Sequence, residues 1–214
     1  MAAHWRKNEK WKRDVESLHE NSAYEAEPVL NLPAIRPTPC ALQSAKSMPA
    51  VTRQTIFSAD RMYRYTLWRE WSDDLFRNRT NEGYVMFIGL NPSTADETQD
   101  DPTIRRCMGF VKRWGYLTLC MTNLFAFRAT DPRKMKAHPK PIGDENDRWL
   151  VAVAREADLI VAAWGVDGRF MARDEEVMKL LDDVQCLRVT KGGYPEHPLY
   201  IPYDTELIPC PPHR

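Results

Sequence analysis

From Tyr63 onward, apolar residues gather in short runs separated by charged stretches. Tyr63-Arg64-Tyr65-Thr66-Leu67-Trp68-Arg69 alternates aromatic or apolar with polar residues, the pattern of an edge strand. Four compact apolar runs follow at Tyr84–Ile88, Leu117–Met121, Leu159–Trp164 and Cys186–Val189, and each predicts a buried strand. Between them, Thr103–Arg113, Asn146–Glu156 and Asp174–Asp183 are suited to helices. Strands of this kind alternating with helices predict a parallel sheet covered on both faces. The expected class is therefore α/β, a three-layer α/β/α sandwich around a central four-stranded parallel sheet. Residues 1–50 differ in texture. Trp11, Val15 and Leu18 stand at helical spacing, and Pro28, Pro33, Pro37, Pro39 and Pro49 then mark an extended linker. This divides the chain into an N-terminal arm, 1–50, and a packed domain, 51–214.

Charge removes one class of function. In 214 residues, 30 Lys and Arg balance 30 Asp and Glu, so no global field supports a purely electrostatic polyanion binder. The five cysteines form no C-x-x-C pair, and Cys120 and Cys186 lie in apolar runs as reduced core thiols do. No stretch reaches the apolar length of a membrane span, and the first residues lack a signal-peptide h-region. A cytoplasmic monomer without a membrane partner is expected.

Ligands on parallel sheets bind beyond the carboxyl ends of the strands, and here those ends carry unusual chemistry. The first runs into Gly89-Leu90-Asn91-Pro92-Ser93-Thr94-Ala95-Asp96, where Gly89 and Pro92 bracket Asn91 in a tight turn. The second ends on Asn123, whose amide can read a flat polar ligand by paired donor and acceptor. The fourth leads to Lys191-Gly192-Gly193-Tyr194-Pro195-Glu196-His197-Pro198-Leu199-Tyr200, which presents His197 in a Gly-rich loop.

That order of motifs resembles the uracil-DNA glycosylase superfamily. Gly89-Leu90-Asn91-Pro92-Ser93 matches the first motif of its mismatch-specific and thymine-DNA branches, and His197-Pro198-Leu199-Tyr200 matches its His-Pro loop in part. Leu119–Asn123 followed by Arg128 is similar to the strand that ends in a base-reading Asn, and Asp158–Gly165 to the strand before the second motif. The likeness spans roughly residues 84–203. Closer still is a bacterial and phage-associated family of unknown function with the Asn-Pro-Ser-Thr-Ala-Asp segment and a His-Pro-Leu-Tyr ending. There are departures. The second motif lacks its Ser and second Pro, the cysteines of the iron–sulfur branches are missing, and Asn91 stands where the fastest uracil enzymes carry a carboxylate. The segment Asp96–Arg106 is long and polar.

The resemblance implies a uracil-DNA glycosylase-like fold and a monofunctional DNA glycosylase whose partner is DNA containing a modified base. The polar segment suits a bulky, phage-type hypermodified pyrimidine, and hence antiviral defence. His197 would donate to the departing base, Asn91 would orient water, and Asp96 or Asp101 would supply a carboxylate. Gly89, Leu90, Pro92, Ser93, Asn123 and Phe125 would form the base site. Arg105, Arg106 and Lys191 would hold phosphates, while Leu199 or Tyr200 would wedge into the vacated stack. Asp96-Glu97 with Asp100-Asp101 also suits a hard cation, but Asp101 or Thr103 serves equally as a helix N-cap; no metal or other cofactor is expected. Two alternatives remain: a nucleotide- or base-modifying enzyme on the same scaffold, and a non-catalytic nucleic-acid binding module.

Overall fold

The computed structural model describes residues 51–71, 83–93 and 95–211. The expected N-terminal helix and linker lie outside them. The strands are β1 (Val51–Phe57), β2 (Arg64–Trp71), β3 (Val85–Gly89), β4 (Thr118–Asn123), β5 (Leu159–Ala162), β6 (Val184–Cys186) and β7 (Ile208–Pro209). The helices are α1 (Pro102–Arg113), α2 (Pro132–Ala137), α3 (Asn146–Glu156) and α4 (Arg173–Leu180). Short 3-10 segments occupy Val166–Ala172 and Pro198–Tyr200.

The class is α/β, but the sheet is larger than expected and mixed. It has seven strands in the order β1-β2-β4-β3-β5-β6-β7. β3 pairs in parallel with β4 and β5, and β5 with β6, while β1, β2 and β7 join antiparallel. The expected edge strand β2 is an interior one, because β1 covers its free side. The polar alternation of Val51-Thr52-Arg53-Gln54-Thr55, beside the Pro-rich linker, gave no buried-strand signal.

Strand alternation sorts the side chains onto two faces. On one, Leu67, Val85, Phe87, Leu119, Met121 and Val161 pack with Ile104, Cys107, Phe110 and Val111 of α1. On the other, the Tyr84 hydroxyl donates to the Val153 carbonyl of α3 at 2.6 Å. Helix α1 has a clear entry signal: Asp101 is its N-cap, accepting from the Ile104 N–H, and Pro102 follows where no donor is required.

A bulge in strand β2 decides which face Arg64 occupies. Ile56 stands opposite Thr66, but Phe57 stands opposite Arg64, which leaves Tyr65 as the extra residue. Thr66 and Tyr65 therefore share a face, and Arg64 returns to the α1 side. The contacts agree. Tyr65 lies nearly parallel to Trp149 of α3 at 6.4 Å, whereas Arg64 Nη1 donates to the Ala95 carbonyl at 2.8 Å. Further along β2, the fully buried Arg69 donates from Nε to Asp100 at 2.6 Å, and Arg53 of β1 reaches the other Asp100 oxygen at 2.9 Å. No described helix is long and apolar enough to cross a membrane.

Removing one partner of a buried ion pair strands the other charge. Asp100→Asn is expected to lower stability by about 3 kcal/mol in urea unfolding. Arg69→Met combined with Asp100→Leu should recover part of that loss. A neutral effect of Asp100→Asn would show that the pair does not anchor this loop.

Candidate functional site

The loops after β3, β4, β5 and β6 meet the same end of the sheet. Gly89 and Asn123 close β3 and β4 side by side in register. A Cβ on Gly89 would lie 2.7 Å from Met121 Cε and 2.9 Å from Asn123 Oδ1, so glycine is what lets the Asn123 amide lie across β3. The strand end is fixed from the other side, where Asn146 Nδ2 donates to the carbonyls of Asn123 and Leu124 at 3.0 and 2.9 Å. Asn123 is 2% exposed, and its Nδ2 is buried without a hydrogen-bond partner. An unmatched buried donor costs about 1–3 kcal/mol, so this amide calls for a partner: a ligand, a water or an ion.

Asn91 sits differently. Its Nδ2 donates to the Ala129 carbonyl at 2.7 Å and to the Pro92 carbonyl at 3.1 Å. Both amide hydrogens are thus engaged, and Oδ1 is the atom left for a ligand. Backbone bonds lace the same two loops: Leu124 N–H to Gly89, Phe125 N–H to Leu90 and Ala129 N–H to Pro92, each 2.9 Å. Leu90 and Pro92 therefore act through their carbonyls, and Ser93 is half-buried beside them. Phe125 is fully buried against Phe170, ring centres 5.7 Å apart, as a core residue and not an open stacking platform.

The two candidate carboxylates differ in kind. Asp96 Oδ1 accepts from Thr98 N–H, Thr98 hydroxyl and Gln99 N–H at 2.8, 2.8 and 3.0 Å. These bonds hold its carboxyl at a pKa of about 2 and shape its own loop. Asp101 caps α1 at 2.8 Å, and its charge also acts on His197 and on Arg64.

His197 precedes the Pro198–Tyr200 turn, where the Leu199 N–H donates to its Nδ1 at 3.4 Å. An imidazole that accepts at Nδ1 in its neutral form carries its proton on Nε2, which is then free to donate. Burial lowers the His197 pKa, and Asp101 partly opposes this. The His197 loop is tied to the end of β5 by Gly165 N–H donating to the Pro195 carbonyl at 2.9 Å. Gly165 has φ +72°, and a Cβ there would meet nothing within 4 Å, so the space beside the loop is open.

The expected phosphate ligands are mostly engaged within the chain. Arg105 donates to the Asp100 carbonyl. Arg106 donates to the Ile201 carbonyl and lies 3.6 Å over the Tyr203 ring, pinning the segment after His197 onto α1. Lys191 is exposed, Leu199 half-buried, and Tyr200 is 85% exposed.

The structure thus joins Gly89 with Asn123 and brings Asp101 near His197. Asn91 and His197 follow β3 and β6, which β5 separates in the sheet. Arg64 was not foreseen. In the sequence it occupies the polar position of an alternating strand, and only the bulge turns it inward. Among the described residues no cluster of three or more His, Cys, Asp or Glu is placed to hold a metal ion.

Residues 64–199 match the model of a family described as a protein of unknown function, DUF1643. No curated protein and no solved structure matches the chain.

The proximity of Asp101 to His197 has a measurable sign. Because the folded His197 pKa lies below its ordinary 6.5, the unfolded chain takes up this proton first. His197 therefore withdraws stability as pH falls from about 6.5 toward the folded pKa, and no further below it. Asp101→Asn keeps an N-cap of similar strength but removes the charge. It is expected to lower the His197 pKa further in an NMR ring titration; a rise would contradict the assigned proximity.

Proposed function

We propose that this chain, which belongs to the DUF1643 family of proteins of unknown function, is a monofunctional DNA glycosylase that removes a modified pyrimidine and leaves an abasic site. The observation that carries the reading is the Asn123 amide, buried yet unpartnered at the carboxyl ends of β3 and β4. A neutral imidazole at the loop after β6 supports it. The architecture assumed is the uracil-DNA glycosylase-like one, a three-layer sandwich in which the parallel strands β4, β3, β5 and β6 form the working centre.

The glycosidic bond of a stacked nucleotide is inaccessible, so the target is extruded from the duplex. Asn123 reads the edge of the base. As the C1′–N bond breaks, its electron pair passes to the base, and His197 donates from Nε2 to the base oxygen where charge develops. Asn91 Oδ1 accepts from the attacking water, whose oxygen bonds to C1′. Asp101 takes the released proton or passes it to solvent, while Asp96 shapes the loop. Tyr200 is the exposed side chain suited to fill the vacated stack. The long polar β3–α1 loop favours a bulky, hydrophilic base such as a phage hypermodified pyrimidine, and so a part in antiviral defence by a cytoplasmic monomer.

The protein should be incubated with DNA bearing uracil, thymine mismatches or hypermodified pyrimidines and assayed for alkali-labile sites and free base. Excision from at least one substrate is expected, with His197→Ala slowing it by about 10²–10³. The rate should hold from pH 8 to 6.5 and fall only below that, where a proton on Nδ1 breaks the Leu199 N–H bond that orients the ring. An altered base still attached to the strand would replace this reading with a base-modifying enzyme. Inactivity on every substrate would overturn it.

A further inference from the structure

Beyond the base-reading amide, this end of the sheet holds more donors than it can satisfy. Arg64 is 2% exposed, yet its Nε is buried without a partner, and among the described residues its guanidinium has no carboxylate within ion-pairing distance. Among the described residues its guanidinium makes one hydrogen bond, from Nη1 to the Ala95 carbonyl. Asp101 acts on it only at longer range, and burial brings its pKa down to about 10, still well within the charged range at neutral pH. Arg69, by contrast, has the same burial and a carboxylate at 2.6 Å. If Arg64 served only to hold the β3–α1 loop, as Arg69 does, a paired or neutral side chain would do so at lower desolvation cost. The bulge at Tyr65 is what delivers this charge to the α1 face, the face on which Asn123 Nδ2 also waits without an acceptor. Arg128 adds a third such donor in its buried Nε, close enough for its charge to act on Arg64.

We propose that Arg64 is an anion-recognising residue of this site, and that the part of the ligand reaching beneath the β3–α1 loop carries or develops negative charge. Resting on the glycosylase reading, this makes the extruded base the bearer of that charge. A DNA phosphate stays at the surface, whereas Arg64 lies under Ala95. The charge has two possible sources with the same chemistry: the ring anion left when the C1′–N pair passes to the base, or a carboxylate substituent on the base. In either case a fixed, uncompensated guanidinium in a dry site stabilises it without reorganisation.

The test uses the full chain and free bases, measured by calorimetry at pH 7: uracil as the neutral reference, 5-nitrouracil as the ring anion, orotate as the carboxylate, and inorganic phosphate as a small-anion control. At least one anionic base should bind tenfold or more tighter than uracil, and 5-nitrouracil should show the absorbance of its ionised ring in the complex. Arg64→Gln should abolish the preference, and Arg64→Lys should keep part of it with the melting temperature of the parent. Tighter binding of 5-nitrouracil assigns the leaving ring, and of orotate a substituent. Equal binding of all three bases by the parent protein overturns the proposal even if the variants fail to fold. So does a preference that survives Arg64→Gln, or phosphate binding that matches the best base. An Arg64-dependent preference in a protein that excises nothing would instead overturn the glycosylase reading and leave the anion site standing.

Discussion

Strand β2 holds the site loop down with two arginines, and the geometry of this end of the sheet depends on that clamp. Arg69 grips Asp100 and Arg64 grips the Ala95 carbonyl, so the long segment between β3 and α1 is fastened at both ends of its polar stretch. Guanidinium groups suit this work because one planar head reaches several carbonyl and carboxylate oxygens at once. The fastening sets where α1 begins. Asp101 follows Asp100 directly, and its position as N-cap fixes the helix start.

The His197 loop inherits its place from α1. Arg106 reaches across to the Ile201 carbonyl and stacks on Tyr203, and Gly109 leaves the room that the Tyr203 ring occupies, since a Cβ there would come within 2.4 Å of it. From the other side, Gly165 ties the loop to β5. Three loops thus share one framework, and a shift in the β3–α1 segment would be felt at the imidazole. The candidate binding groups are predominantly donors: Asn123 Nδ2, His197 Nε2 and the Arg64 guanidinium. On the proposed reading, a partner rich in acceptor oxygens or negative charge complements them.

Much of this was legible in the residues. Continuous apolar runs located β3, β4 and β5, and helix α3 falls on the expected Asn146–Glu156, whereas the run Cys186–Val189 meets β6 only at Cys186, because the chain leaves the sheet there for the His197 loop. Asp101-Pro102 signals a helix start in any context. Other features were hidden for physical reasons. A polar edge strand such as β1 draws its stability from pairing, which composition does not report. The bulge at Tyr65 leaves the alternation of the sequence intact while reversing the face of Arg64 in space. Arg105 and Arg106 look like free cations in a sequence, and only tertiary contacts reveal that backbone carbonyls already take their donors. Asn91 shows the same limit: its motif marks the right loop, but not which of its amide atoms is left for a ligand.

Convergence of Asn123 and His197 on one extruded nucleobase is the claim on which the functional reading stands. The direct measurement is an NMR titration of the isotope-labelled protein with an uncleavable, 2′-fluorinated version of whichever DNA supports excision, following the Asn123 side-chain amide and the His197 ring nitrogens together. Both signals should move along a single binding curve, with the His197 proton remaining on Nε2. Movement of one group while the other stays at its free position would contradict a shared site.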